Sequence, residues 1–216
     1  MGPRPTLIYL LRHGEVLHAE TRRFIGHLDV PLSCRGERQC AAQADALQGV
    51  TLAAIFSSDL SRARRSAEII AAPHGLIPVE TPALREMSMG RWEGLTADEI
   101  RRREPEAFAD WMARVGEFPF PEGESVPDLL ERAWPAFASI ASEFAGHAVA
   151  IVAHGGTNRA LLCQALETPL GRLLGFGQDY GALSLLVGPE PWKLGRLNER
   201  PILVEAPSGE AKRSVS

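Results

Sequence analysis

Cysteine is scarce in this chain and badly placed for structural work. The 216 residues include three, and Cys34, Cys40 and Cys163 can neither all pair within one chain nor form a C-x-x-C. A disulfide scaffold and a cysteine-built zinc site are therefore not expected. Long apolar runs are missing too. Nothing approaches the roughly 18 consecutive apolar residues of a membrane span. The stretch Leu7 to Leu11 is shorter than the apolar region of a secretion signal and runs straight into Arg12 and His13. Met1-Gly2 with Thr6 formally fits a myristoylation pattern, but Pro3 and Pro5 crowd it and a strand is expected from Thr6, so no lipid anchor is expected. Charge of one sign is also lacking: the formal net charge is −4, which gives no global pull toward nucleic acid or an anionic membrane. With these absences, a cytoplasmic protein of a reducing compartment is expected.

The composition is that of a globular domain, with 45% apolar and 23% charged residues. At roughly 150 residues per domain the length fits one domain better than two, and folding should bury about 70% of the unfolded surface. Three short continuous apolar runs end in polar residues. Thr6–Leu11 ends in Arg12-His13-Gly14, Ala53–Phe56 in Ser57-Ser58-Asp59, and Val149–Ala153 in His154-Gly155-Gly156. Unbroken apolar runs are expected of strands covered on both faces of a parallel sheet. Helical patterns follow each: Glu37 to Leu47, Ser61 to Ala72 before Pro73, and Thr157 to Leu166 before Pro169. Ala182–Val187 and Lys193–Leu197 read as two more strands around Gly188-Pro189.

Residues 84–145 have another texture. They hold Trp92, Trp111 and Trp134, a charged helical stretch from Asp98 to Arg103, the loop Phe118-Pro-Phe-Pro121, and a longer helix from near Ser125 with a kink at Pro135. The predicted fold is a three-layer α/β/α sandwich with a mostly parallel open sheet and a helical capping insertion. One domain spans residues 1–206, residues 84–145 form its cap, and residues 207–216 form a flexible tail.

In an open α/β sheet, ligands bind beyond the carboxyl ends of the strands. That edge would receive Arg12, His13 and His154 from strand ends and Arg62 from the helix after Ser57-Ser58-Asp59. Arginine forks match pairs of phosphate oxygens, and a neutral imidazole nitrogen is a competent nucleophile for phosphoryl transfer. Singly, each residue has a plainer reading: a histidine after a strand is usually structural, and Arg62 sits with Arg64 and Arg65 as on a solvated helix face. Their convergence points to a phosphate. Other phosphate chemistries fail on residue type. There is no G-x-x-x-x-G-K-[ST] loop, and no cysteine has an arginine six positions on. Gly175-Phe-Gly177-Gln-Asp-Tyr-Gly181 only approximates a dinucleotide fingerprint, and Gly123-Glu124-Ser125 is not a nucleophile elbow because Pro127 replaces the second glycine.

Leu11-Arg12-His13-Gly14-Glu15 resembles the RHG signature of the histidine phosphatase superfamily, also called phosphoglycerate-mutase-like. Further blocks match in order: Gly26–Leu32 with Gly36, Ser57–Ala63, Leu84-Arg85-Glu86 with Gly90–Gly94, and Ala153-His154-Gly155-Gly156. The resemblance spans about Leu7 to Asn198. It implies His13 as the phosphorylated nucleophile, Arg12, Arg62 and His154 as phosphoryl ligands, and Glu86 as the proton donor and acceptor, with Gly26, His27 and Gly155 near the substrate. Without it, Glu86 beside Arg85 reads as a surface carboxylate. It implies no cofactor and no metal, and a small phosphomonoester as partner, with no nucleic acid and no membrane; a homodimer stays open.

Mutases of the superfamily carry basic and tyrosine residues just after the acid, whereas this chain reads Glu86-Met87-Ser88-Met89. Pro119–Ser125 after Trp111 resembles the phosphatase branch, especially α-ribazole phosphatases. Phosphatase is the expectation, with a mutase or a catalytically silent phospholigand-binding member as alternatives. One departure concerns the substrate. Val16 and Ala19 stand where many relatives have Thr and Asn, with His18 and His27 nearby to compensate.

Overall fold

The computed structural model describes residues 4–203; the Met1-Gly2 segment and the tail from 207 lie outside the described residues. The strands are β1 (Thr6–Arg12), β2 (Leu52–Ser57), β3 (Val79–Glu80), β4 (Ala148–Ala153), β5 (Leu183–Gly188) and β6 (Lys193–Glu199). They form one sheet in the order β3-β2-β4-β1-β5-β6. The first four run parallel, β5 lies antiparallel to β1, and β6 antiparallel to β5. The expected mostly parallel sheet is therefore present, and its antiparallel part is the hairpin around Gly188-Pro189. The two-residue β3 went unpredicted because its exposed side chains leave no apolar run to read.

The pleat divides the core between two faces. On β1, Ile8 and Leu10 point to one side with Val149, Ile151 and Ala153 of β4. Tyr9 and Leu11 point to the other with Ala150 and Val152. Both sides are covered, which is why these strands read as unbroken apolar runs. Helices α1 (Cys34–Leu47) and α2 (Ser61–Ala71) bury the second face through Cys40, Leu47, Ala67 and Ile70. Helices α5 (Val126–Glu143) and α6 (Gly155–Ala165) bury the first through Leu129, Phe137, Leu161 and Leu162. Between β3 and α5 lie the short helices α3 (Ala97–Arg103) and α4 (Pro105–Ala113).

Helix boundaries follow local chemistry. Helix α1 starts at Cys34, earlier than the Ala- and Gln-rich pattern indicates, because the Ser33 hydroxyl accepts the Gly36 amide. Thr96 and Glu99 close a capping box on α3, and Ser125 and Asp128 close one on α5. Pro135 does not end α5, which runs on to Glu143. Side chains of the loop after β1 and of the segments between β3 and α5 gather on Trp92, fully buried, with Phe118 stacked at 5.3 Å and Phe24, Trp111 and Phe120 edge-on at 6.0, 6.1 and 5.3 Å.

Two glycines bring the loop after β1 against α1. A Cβ on Gly36 would lie 2.0 Å from the Glu15 carbonyl oxygen, and one on Gly14 2.4 Å from the Gly36 carbonyl oxygen. No rotamer relieves a clash between main chains. Gly36→Ala is therefore expected to cost about 1–3 kcal/mol of stability. Urea unfolding checks this, and an unchanged midpoint would show that the loop yields freely.

Candidate active site

The pairing of β1 with β4 sets Arg12 opposite Ala153. The next residues, His13 and His154, therefore leave the sheet side by side, with ring centroids 5.1 Å apart. The main chain continues the pairing for one more step, since the His13 amide donates to the Ala153 carbonyl at 3.0 Å. Beyond β2, Ser58 donates to Val152 at 3.1 Å, and α2 begins three residues later. Its first turn carries Arg62, which is 1% exposed. The carboxyl ends of β1, β4 and β2 thus bring together Arg12, His13, His154 and Arg62.

Three of these groups, His13, Arg62 and Arg12, are aimed by main-chain carbonyls. His13 Nδ1 lies 2.7 Å from the Gly14 carbonyl, so that nitrogen carries the proton and Nε2 keeps its lone pair. Gly14 in turn donates to Ser66 Oγ at 3.1 Å, and that hydroxyl donates to the Arg62 carbonyl at 2.7 Å, lacing the loop to α2. Arg62 spends both terminal nitrogens on carbonyls: Nη1 donates to Leu28 and Nη2 to Gly26, each at 2.7 Å. Arg12 Nη1 donates to the Gln178 carbonyl at 2.6 Å, and its guanidinium lies 3.8 Å over the Tyr180 ring. None of these bonds brings a negative charge. Arg12 Nε, Arg62 Nε and both ring nitrogens of His154 are buried with no hydrogen-bond partner. Buried donors without acceptors are costly, and guanidinium N–H groups beside imidazoles fit an anionic tetrahedral ligand.

Burial, then the Arg62 and Arg12 charges, holds the His13 pKa well below the ordinary 6.5. Burial and Arg62 do the same for His154. Both rings are accordingly neutral near pH 7.

Glu86 turns inward, not outward as a surface carboxylate. Arg85 forks onto Asp59 at 2.8 and 2.5 Å instead. Glu86 Oε2 accepts the Gly156 amide at 2.9 Å, and Oε1 accepts the Thr157 amide at 3.0 Å and its own neighbour Met87 at 2.9 Å. The carboxylate thus sits on the amino end of α6, where the helix dipole favours negative charge. A Cβ on Gly156 would lie 2.5 Å from Glu86 Oε1, so a glycine there admits the carboxylate.

A cavity of about 490 Å³ opens over these groups. Its floor is Arg12, His13, Arg62, Glu86, Gly155 and Gly156, and its outer wall includes Phe24, Met87, Met89, Trp111 and Phe120. Gly26 and Ala19 also line it, whereas Val16 is buried against Leu32 outside it. Among the expected substrate-proximal residues His27 differs. It is not in the cavity wall, and its Nε2 lies 2.8 Å from the Glu86 carbonyl. His18 is exposed beside Glu20 and does not line the cavity either. A larger cavity of about 790 Å³ lies at the opposite edge of the sheet, against Thr6, Gly146 and Gly188, without a comparable cluster of titratable groups.

The model of the histidine phosphatase superfamily, branch 1, matches residues 8–200. The chain belongs to this superfamily. It is 35% identical over 162 residues to a probable phosphoglycerate mutase GpmB of Escherichia fergusonii, covering 75% of each chain. Among solved structures, a mycobacterial hydrolase superposes with a TM-score of 0.85 at 28% identity, covering 94% of both chains. A putative α-ribazole-5'-P phosphatase of Escherichia coli superposes at 0.82 and 26%, covering 93% of this chain and 99% of that one. These superfamily relatives include phosphatases and mutase-like proteins, so this is a chain of an enzyme family acting on phosphate esters.

Sequence reasoning missed several members of this site. Gln178 and Tyr180 fell in a stretch weighed only as a dinucleotide fingerprint, and Arg159, one turn into α6, went unnoticed although it lines the cavity. An arginine four positions after Gly155 on a helix opening at the site was the available signal.

The depressed imidazole pKa values have a thermodynamic consequence. Above pH 6.5 both rings are neutral folded or unfolded, and their contribution to stability is complete. Below 6.5 the unfolded chain takes up protons that the folded one refuses, so stability falls with pH through that window. The urea midpoint should drop from pH 6.5 downward. A His13→Gln/His154→Gln double variant should flatten that slope by up to about 1.4 kcal/mol per pH unit for each ring. Equal slopes would mean that the rings protonate freely in the folded state.

Proposed function

We propose that the chain is a phosphomonoester hydrolase that works through a phosphohistidine on His13. The observation that carries this reading is the set of buried, unpartnered donors on Arg12, Arg62 and His154 beside a neutral imidazole. His13 Nε2 attacks phosphorus and the ester P–O bond breaks. Arg12, Arg62 and His154 hold the phosphoryl oxygens as charge redistributes over them. Glu86, protonated at this step, gives its proton to the departing alkoxide. Its carboxylate then takes a proton from the attacking water, the P–N bond breaks, and inorganic phosphate leaves with His13 neutral again. Glu86 Oε2 accepts a single amide, which leaves it a lone pair for that proton.

The outer wall of the cavity supports hydrolysis over a mutase reaction. Met87 and Met89 follow Glu86 directly, and with Phe24, Trp111 and Phe120 they offer an apolar surface to the leaving group. Arg23, also at this wall, already donates to the Gly94 carbonyl and Glu99. A phosphoglycerate, carrying a carboxylate close to its ester, would meet only Arg22 and Arg159 among these apolar side chains. An aromatic or nucleoside-like leaving group fits better, as in α-ribazole phosphate or in a broad-specificity phosphatase. Mutase-type transfer is the second reading, favoured by the GpmB relative and by Arg22 in the wall. A cytoplasmic location belongs to the same proposal and is consistent with three free cysteines.

Rapid quenching with a labelled phosphomonoester should trap acid-labile, alkali-stable label that His13→Ala abolishes. Failure to trap label with wild type, under conditions where turnover is measurable, would overturn the covalent route. Arg62→Lys should lower kcat about 10²- to 10³-fold despite keeping the charge, because an ammonium lacks the fork. A panel with α-ribazole phosphate, 1-naphthyl phosphate and 3-phosphoglycerate, with release and transfer of phosphate scored separately, should show release from the first two, unchanged by EDTA. Dominant transfer between phosphoglycerates would select the mutase reading.

A further inference from the structure

The segment that carries Glu86 has little regular structure of its own. A single 3-10 turn over Pro82–Leu84 leads into extended backbone at Arg85. His27 Nε2 lies 2.8 Å from the Glu86 carbonyl and Thr157 Oγ1 donates to the Arg85 carbonyl at 2.9 Å, but the group that makes most bonds to it is Arg132, two turns into α5. Nη1 donates to the carbonyls of Ala83 and Arg85, both at 2.9 Å, and Nη2 donates to the Glu86 carbonyl at 2.8 Å. The same guanidinium forks onto Glu124, Nε to Oε1 at 2.7 Å and Nη2 to Oε2 at 2.8 Å. Glu124 Oε2 also accepts the Ser88 amide at 2.8 Å. Burial pushes the Glu124 carboxyl up, but the Arg132 fork and the Ser88 amide more than offset it and keep it below the usual carboxylate range.

The pair therefore ties down residues on both sides of Glu86. Arg132 itself is absent from the cavity wall. It serves three carbonyls of one short segment, those of Ala83, Arg85 and Glu86, and the one carboxylate that this segment carries is that of Glu86. We infer that Arg132, seated by Glu124, is a positioning residue for the proton-transfer step, fixing the main chain from which Glu86 reaches the amino end of α6. This rests on Glu86 being the proton donor. Loosening a catalytic group by about 1 Å typically costs on the order of 10²-fold, and here the loss falls on the step that protonates the leaving group.

Leaving-group dependence separates this from a role in folding alone. A p-nitrophenolate departs without a proton, whereas a simple alkoxide needs one. Turnover of p-nitrophenyl phosphate and of an alkyl phosphate is compared for wild type, Arg132→Gln, Arg132→Lys, Glu124→Gln and Glu86→Gln, each with its melting temperature. Arg132→Gln should lose about tenfold or more on the alkyl ester beyond its loss on the aryl ester. Arg132→Lys should recover part of that, since one ammonium reaches some of the carbonyls but cannot fork. Glu86→Gln should show the same selectivity more strongly. Equal losses on both esters in the Arg132 and Glu124 variants, with Glu86→Gln still selective, would overturn the positioning role alone. A Glu86→Gln variant without selectivity would overturn the reading of Glu86, and the inference with it. If Arg132→Gln does not fold, Glu124→Gln and Arg132→Lys carry the same comparison.

Discussion

The site depends on two parallel strands lying next to each other in one register. Because β1 and β4 are neighbours, with Arg12 opposite Ala153, the two histidines emerge beside each other at the same height. A one-residue slip would turn every side chain of one strand to the other face of the sheet, and the two imidazoles would part. That register is held by the core on both faces: Ile8 and Leu10 cannot exchange places with Tyr9 and Leu11 without emptying one layer and overfilling the other. Packing of aliphatic side chains far from the cavity is therefore what sets the spacing of the reactive groups.

Around that pair the protein builds a cluster of positive charge and supplies almost no counter-charge. The guanidinium of Arg62 is satisfied by two neutral carbonyls, and that of Arg12 by one carbonyl and an aromatic face. A carboxylate at either place would stabilise the empty protein and compete with a phosphoryl group for the same donors. The Glu86 carboxylate is kept aside by helix amides, close to the cluster but bonded elsewhere. The cost of leaving donors unpaired is the counterpart of affinity for an anion.

Much of the scaffold was visible in the chain because its physics is local. Unbroken apolar runs announced β1, β2 and β4, and polar residues at their ends announced one edge. Helix starts were less visible, since Ser33 caps α1 ahead of the Ala-rich pattern and α6 opens on two glycines that propensity alone disfavours. Glu86 was invisible to residue-type reasoning. Beside Arg85 it looked like half of a surface pair, and only the three-dimensional preference of Arg85 for Asp59 releases it inward. Tyr180, Gln178 and Arg132 were equally hidden: Gln178 holds Arg12 from 166 positions away and Arg132 reaches the Glu86 carbonyl from 46, although its fork partner Glu124 is only eight positions off. His27, expected near the substrate, lies beside the cavity, where it braces the Glu86 main chain and leaves the wall to Gly26.

The aromatic cluster on Trp92 has an implication for how such a protein diversifies. The histidines and buried arginines come from the ends of strands and the first turn of α2, while the apolar part of the cavity wall comes mostly from the loop after β1 and from the loops and helices between β3 and α5. The two sets meet in one cavity but answer to different packing. Aromatic side chains held by stacking tolerate exchange for others of similar volume more readily than laced main-chain hydrogen bonds do. Replacements at Phe24, Trp111 or Phe120 recut the outer half of the cavity without disturbing the register of β1 and β4. What the outer half of the cavity can admit is thereby open to change while the two imidazoles keep their spacing.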